Sequence, residues 1–272
     1  MLPIYIALTS RTDRVGLADL APVAAALQKQ VVRDFAPIWG VTASVGFFPS
    51  ENIPMGYWAV SVEDEVHQGG GVHLTWNNQP YALVKYGPSW QLAASHEVLE
   101  MLADPWGSRT VPGPALNGGA ERVEYLVEVC DPCEDSRFAY TVDGVPVSDF
   151  YTPRYFDPVA SPTVRYSFQG RILAPRQVLP NGYLCWFDGA RRLFRAFADE
   201  NGQLSIDELP ALDAQARLSL REHVDQLTPR RQTLLSDAVL PQHLLDAGAA
   251  AKAGCRSFAA YVGSSDTYRG LP

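Results

Sequence analysis

The residues with the clearest chemical potential lie in one short run, residues 95–105, which reads SHEVLEMLADP. On a helix His96 and Glu100 stand one turn apart on the same face, so an imidazole nitrogen and a carboxylate oxygen can reach one ion. Glu97 lies beside that pair, where its carboxylate can take a proton from a water molecule held by the ion. The spacing therefore predicts a divalent-metal site with Glu97 as general base.

A metal site needs a third protein ligand, and the next acidic segment offers two. Glu128 and Asp131 stand at the end of a strand predicted over 123–129. We favour Asp131, because a short carboxylate that leaves a strand end is well placed, and keep Glu128 as the near-equal alternative. Asp104 lies about 12 Å along the helix axis from His96, so we expect it to support the site from the helix end. For each of these acids, a solvated surface carboxylate is the plain alternative.

Acidic residues are concentrated around these candidates. The chain has 272 residues, with 30 Asp+Glu against 22 Lys+Arg and a formal charge of −8. Residues 96–135 hold nine carboxylates and two arginines, so most of the excess lies there. The balance argues against a general nucleic-acid binder, which normally presents a basic face. The same local excess suits a bound cation.

The pattern along the chain predicts the elements that position these residues. We expect a strand at 3–8, a helix capped by Asp19 and ended by Pro37, and strands within 41–48, 56–62, 72–76 and 81–86. The metal-binding run lies on a helix predicted over 90–103, which Asp104 and Pro105 close. Farther on we expect a loop at 107–120, irregular chain at 143–163, strands at 164–168 and 183–187, and helices from Leu209 onward. The fold class is α+β, with a metal-binding domain over 1–205 and a helical extension over 206–272.

The run and this order of elements resemble the zincin metallopeptidases, whose motif helix reads His-Glu-x-x-His. The resemblance extends to a group of bacterial proteins with Ser-His-Glu-x-x-Glu-Met-x-x-Asp-Pro, matched here by 95–105, and an acidic strand with an Asp-Pro turn, matched by 123–132. It covers roughly the first 190 residues. It implies a mixed or antiparallel sheet backed by the first helix, with an edge strand that binds extended substrate. It also implies a Zn²⁺ ion on His96, Glu100 and Asp131 or Glu128, and hydrolysis of peptide or amide bonds.

Glutamate in place of the second histidine changes the expected chemistry. One neutral and two anionic ligands cancel the charge of a divalent ion, so bound water is less acidified than at a three-histidine site. Another divalent metal, or an ion with a purely structural role, is therefore an alternative to catalytic zinc. Hydrolysis also needs a donor for the developing oxyanion; Tyr151, Tyr155 and His73 are the candidates, against a plain role in packing. The second hypothesis is a non-catalytic binding protein with a degenerate, metal-stabilised site.

Two other patterns are weaker, and composition limits the partners. Cys130 and Cys133 could form a four-thiolate zinc site only together with Cys185 and Cys255. The stretch 197–208 resembles an EF-hand calcium loop but lacks the carboxylate at its first position. We therefore expect a turn before a helix there. No run has the length of a membrane span, and the N-terminal segment lacks a positive region with a cleavage site. We expect a cytoplasmic protein that acts on peptide or protein substrates and binds neither nucleic acid nor membrane.

Overall fold

The computed structural model describes residues 3–66, 70–116, 121–211, 219–227, 237 and 239–250. Its first sheet has the strand order β2-β1-β3-β5-β4, formed by β1 (Ile4–Ser10), β2 (Ala43–Phe47), β3 (Trp58–Glu63), β4 (Gly71–Trp76) and β5 (Gln79–Lys85). The ladders of β1 with β2, β1 with β3, and β3 with β5 are parallel, and only the edge strand β4 is antiparallel to its neighbour. The sheet is therefore mixed, one of the two expected forms, and mostly parallel.

The first helix backs this sheet and is longer than predicted. The helix α1 (Leu17–Lys29) continues through a π-helical turn at Gln30–Phe35 into α2 (Ala36–Trp39). The predicted cap was wrong: Gly16 is the N-cap, and the Asp19 carboxylate accepts the Gly16 N–H at 3.0 Å. Pro37 does not end the helix, because it lies in the first turn of α2, where a missing N–H removes no helical hydrogen bond.

The helix α3 (Trp90–Ala103) carries the candidate ligands His96 and Glu100 and has the predicted bounds. It packs on β4 and β5 and also contacts α1 and β9. Every residue of α3 except Gln91 is buried, and its apolar side chains share one core with residues of both sheets. The polar residues of α3 are therefore held inside the protein.

The second sheet is antiparallel, with the order β12-β11-β10-β7-β6. Its strands are β6 (Thr110–Pro114), β7 (Arg122–Leu126), β10 (Tyr183–Phe187), β11 (Leu193–Ala198) and β12 (Leu204–Leu209), and a separate hairpin joins β8 (Tyr140–Val142) to β9 (Val145–Val147). Three predictions were wrong here. The predicted loop 107–120 contains β6, the predicted turn before a helix at 197–208 is the β11–β12 hairpin, and the predicted strand 164–168 forms one bridge, between Tyr151 and Ser167.

The C-terminal part is helical where the structure describes it, in α4 (Leu220–Gln226) and over 242–250. The soft boundary at 205/206 falls inside β12, which pairs with β11 along its length. Val224 of α4 packs into a cluster with Leu126 and Tyr183 of the second sheet. Cys255 and the remaining C-terminal residues lie outside the described ranges.

Candidate metal centre

His96 and Glu100 face each other across one turn of α3, as their spacing predicts. Nε2 of His96 lies 3.2 Å from Oε2 of Glu100. The chain that follows β7 passes beside this turn, where the Cys130 N–H donates to Oε1 of Glu100 at 3.1 Å. This hydrogen bond positions the next residue, Asp131, whose Oδ1 lies 3.3 Å from Nε2 of His96. Three candidate ligand atoms from two segments therefore meet inside the protein.

Two of the separations among these atoms, both measured from Nε2 of His96, match those expected around a tetrahedral ion. Nitrogen and oxygen ligands at about 2.0–2.1 Å from such an ion lie about 3.3–3.4 Å from one another. The two observed separations from Nε2 of His96 are 3.2 and 3.3 Å. Oε2 of Glu100 and Oδ1 of Asp131 are buried and have no hydrogen-bond partner, although buried polar atoms are normally paired. Each of the three residues belongs to groups of side chains that could hold a metal ion, although the trio itself is not one of the groups whose ligand atoms all lie within 4.8 Å of one another.

Other side chains overlap with this trio. Among the described residues, four sets of three side chains bring ligand atoms within 4.8 Å of one another, and Glu100 belongs to three of them. The sets are His96·Glu100·Cys130, His73·Glu97·Glu100, His96·Asp131·Glu134 and Glu100·Glu128·Asp131. Cys130 thus approaches the site as a single thiol, while Cys133 and Cys185 belong to none of these sets. The four-thiolate alternative has no support within the described part of the chain.

The two alternatives for the third ligand occupy different places. Arg221 contacts both carboxylates, but Oδ1 of Asp131 also lies 3.3 Å from Nε2 of His96, whereas Glu128 forms no ion pair with His96 in the described part of the chain. Both oxygens of Glu128 are buried without a hydrogen-bond partner. The geometry therefore favours Asp131 as the ligand and leaves Glu128 beside it as a further carboxylate.

Glu97 lies on the side of the cluster that faces the edge strand. Its Oε2 is 3.5 Å from Nδ1 of His73 on β4. A Cβ atom at Gly71, also on β4, would lie 2.5 Å from Oε1 and 2.9 Å from Cγ of Glu97. Only a residue without a side chain leaves Glu97 its present position. His73 thus contacts the Glu97 carboxylate at ion-pair distance, and both of its ring nitrogens are buried without a hydrogen-bond partner.

Arg221 is a member of the buried cluster that sequence reasoning missed. It reaches the cluster from α4, with 1% of its side chain exposed. Its NH1 lies 2.5 Å from Oδ2 of Asp131, its NH2 lies 3.6 Å from Oε2 of Glu100, and its Nε lies 3.0 Å from Oδ1 of Asp225. The Ser219–Glu222 capping box was a readable helix-start signal, but no spacing in the sequence connects Arg221 to Asp131.

Carboxyl groups outnumber the positively charged groups in the buried cluster. Burial alone would lower the pKa of His96, but Glu100 and Asp131 outweigh it and raise this pKa well above its usual range. Burial would raise the pKa of Glu100, but His96 and Arg221 hold it below its usual range. For Glu128 and Glu134, burial, reinforced by neighbouring carboxylates, raises the pKa well above the usual range. The carboxylates outnumber the positive groups that face them, so the cluster favours protons or a further cation.

The remaining candidates differ in what their polar atoms do. The Tyr151 hydroxyl is buried without a hydrogen-bond partner, whereas the Tyr155 hydroxyl donates to the Gln177 carbonyl at 3.1 Å. The two rings stack with centroids 4.3 Å apart. Oδ2 of Asp104 accepts the Arg109 N–H at 2.7 Å and so secures the chain after α3. Tyr151 therefore keeps a free donor, Tyr155 does not, and Asp104 acts at the helix end.

Comparisons with protein-family models, curated proteins and solved structures found no match to this chain. The functional argument consequently rests on the geometry of the cluster. No helix in the described ranges combines the length and apolar character that crossing a bilayer requires.

Proposed function

We propose that the chain is a zinc-dependent hydrolase of peptide or amide bonds, with the ion held by His96, Glu100 and Asp131. The observation that carries the proposal is the convergence of three buried ligand atoms at separations of 3.2 and 3.3 Å about Nε2 of His96. Imidazole and carboxylate donors of this kind suit zinc, and a three-ligand set leaves a position for water or substrate. Another divalent metal remains an outcome of the test.

The arrangement of elements supports a zincin-like interpretation. The motif helix α3 packs on β4 and β5, and β4 is the antiparallel edge strand of the sheet. Glu97 points to that strand, through its contacts with His73 and Gly71. An extended peptide beside such an edge would lie next to the general base. The expected substrate is accordingly a peptide or protein segment.

The chain's own residues would divide the chemistry as follows. When bound, the ion would acidify water and polarise the carbonyl group. Glu97 would accept the proton of the attacking water and return it to the leaving amine, so that water and an amide yield an acid and an amine. Nδ1 of His73 would hold the Glu97 carboxylate in place, and the Tyr151 hydroxyl is the available donor for the developing oxyanion.

The closure of the site favours a second candidate function. His96, Glu97, Glu100 and Asp131 are each no more than 2% exposed, and a hydrolase must admit its substrate. A metal-stabilised binding protein with a degenerate zincin site needs no such access. The ion would then serve the fold alone.

Metal analysis and one substitution separate these functions. We expect purified protein to contain zinc near one equivalent, and Glu97→Gln to keep the metal while hydrolysis of a broad peptide library falls at least a hundredfold. Glu200→Gln, an exposed glutamate in the β11–β12 turn, is the matched control and should retain full activity. Full metal content without any hydrolysis by the parent protein would instead support the binding protein.

A further inference from the structure

Arg221 holds the same carboxylates that the proposed ion would bind. We propose that Arg221 is an internal cation that competes with the metal for Glu100 and Asp131, and that metal loading thereby loosens α4 from the site. The inference rests on the metal centre of the proposed function and is independent of hydrolysis. The helix α4 would then act as a latch, attached firmly while Arg221 pairs with the carboxylates and less firmly when the metal is bound.

The geometry of the guanidinium carries the first step. Glu100, Glu128 and Asp131 form one of the sets with ligand atoms near enough to share an ion. NH1 of Arg221 lies within 2.5 Å of Asp131 and 3.5 Å of Glu128, and NH2 lies 3.6 Å from Glu100. The positive group of Arg221 thus stands against all three carboxylates. A divalent ion on Glu100 and Asp131 would both repel this guanidinium and withdraw negative charge from it.

The helix α4 is attached to the protein by apolar contacts, by hydrogen bonds and by the ion pairs of Arg221. The helix has seven residues, and its apolar anchoring includes Val224 in the cluster with Leu126 and Tyr183. The Arg221 N–H donates to the Gly107 carbonyl at 2.9 Å, and a Cβ at Gly107 would lie 2.8 Å from Cβ of Arg221. Leu220 and Leu227 pack against the same apolar cluster, Nε2 of His223 lies 2.7 Å from the Pro210 carbonyl oxygen, and the ion pairs of Arg221 connect α4 to the buried carboxylates. Weaker ion pairs therefore mean a weaker hold.

Thermodynamic linkage joins the two steps. If the docked Arg221 lowers the affinity for metal by some factor, bound metal must weaken the docking of α4 by the same factor. The Arg221 side chain runs from α4, which exposes Gln226 and parts of its neighbours, to carboxylates that are nearly fully buried. Its withdrawal would remove the positive group that faces these carboxylates.

Metal affinity tests the competition directly. Zinc binding to the full chain is measured by competition with a chromophoric chelator, for the parent protein, Arg221→Met and Arg192→Met. Arg192→Met removes the same charge from an exposed arginine that pairs with Asp188, and should leave the affinity within threefold. We expect Arg221→Met to bind zinc at least tenfold more tightly. Unchanged or weaker binding by Arg221→Met would overturn the competition.

Hydrogen exchange of the parent protein tests the latch without any substitution, so a failure of Arg221→Met to fold leaves the inference testable. We expect amides within 220–226 to exchange at least fivefold faster with zinc than in chelator, while those of β10 stay unchanged. Equal or slower exchange of α4 with zinc would contradict the latch. Absence of zinc binding in every variant would refute the metal centre as well, whereas zinc binding without hydrolysis would refute only the hydrolase.

Discussion

Glu100 lies at the centre of the cluster. Its Oε1 accepts the Cys130 N–H, and its Oε2 faces His96, His73 and Arg221. One oxygen is thus fixed by the backbone, and the other is left for a cation. A ligand held in this way is pre-oriented before any ion arrives.

Replacing this ligand tests its role. Glu100→Gln removes the negative charge with little change in shape, and we expect zinc affinity to fall roughly a hundredfold or more. Asp104→Asn is the matched control, because Asp104 accepts a backbone N–H at the end of the same helix; its effect on affinity should stay within threefold. Equal losses in both variants, measured by chelator competition, would argue against a ligand role for Glu100.

Gly71 leaves room for Glu97, the proposed general base. A methyl group at this residue would lie 2.5 Å from Oε1 of Glu97, so Gly71→Ala must displace the carboxylate. We expect hydrolysis to fall at least tenfold while zinc content is retained. Gly189→Ala places its Cβ 3.4 Å from its nearest neighbour and should leave activity unchanged. A fully active Gly71→Ala would count against Glu97 as the base.

Asp149 gives the fold a pH dependence separate from the metal ligands. Burial raises its pKa to about 6, although the N–H groups of Phe150 and Gln169 donate to its Oδ1. The folded state therefore holds a proton that the unfolded chain releases near pH 4, and stability falls as pH rises from about 4 to about 6. The loss approaches roughly 3 kcal/mol above pH 6.

Urea denaturation of Asp149→Asn measures this contribution. The variant should gain free energy of unfolding relative to the parent protein between pH 4.5 and pH 7.5, because an amide has no proton to lose. Subtracting the two curves cancels every other titrating group. Parallel stability curves across this range would show that Asp149 ionises as easily in the folded state as in the unfolded chain.

At the scale of elements, a buried network joins the π-helical turn after α1, the helix α3 and the residue that follows β9. Oγ of Ser95 donates to Oε1 of Gln30 at 2.8 Å and accepts the Ser148 N–H at 2.9 Å. Nε2 of Gln30 donates to the Ser148 carbonyl at 3.0 Å. Gln30 begins the π-helical turn, and Ser95 immediately precedes His96. This network fixes the helix that carries the ligands.

Removal of the Ser95 hydroxyl tests the network. Ser95→Ala leaves a buried N–H and a buried carbonyl oxygen without this partner, and we expect the free energy of unfolding to fall by about 1–3 kcal/mol. Ser205→Ala, on the exposed strand β12, should change it by less than about 0.5 kcal/mol. Chemical denaturation gives the free energy of unfolding of both variants. Similar losses in the two would show that the network does not stabilise the fold.

Elements with strong local signals were predictable, whereas the two edge strands of the second sheet, β6 and β12, were not. The bounds of α3 follow from its apolar spacing and from Asp104-Pro105 at its end. The strand β6 contains Pro112, Gly113 and Pro114, residues typical of loops that a sheet tolerates only at an edge. The strand β12 is exposed along most of its length, so burial imposed no readable alternation on its sequence.

At the scale of the whole molecule, site residues related by local spacing could be predicted from the sequence, and those brought together only by the fold could not. His96, Glu97 and Glu100 could be predicted because their relation is set by one turn of a helix. Asp131 followed less directly, from its place at the end of a strand. Arg221, Glu134 and the orienting contact of His73 depend on how distant segments meet in the folded chain, and no local pattern reports that.

The whole-molecule consequence is that one buried cluster joins the first sheet, the helix α3, the chain after β7, and α4. The proposed cation lies where these segments meet. Every role given above to Glu97, Arg221 and Tyr151 is defined relative to that ion.

An anomalous difference map from zinc-supplemented crystals, collected at the zinc absorption edge, tests this claim most directly. We predict a single strong peak bounded by Nε2 of His96, Oε2 of Glu100 and Oδ1 of Asp131. A map without a peak there at saturating zinc, or with its peak between His73 and Glu97 instead, would contradict the account.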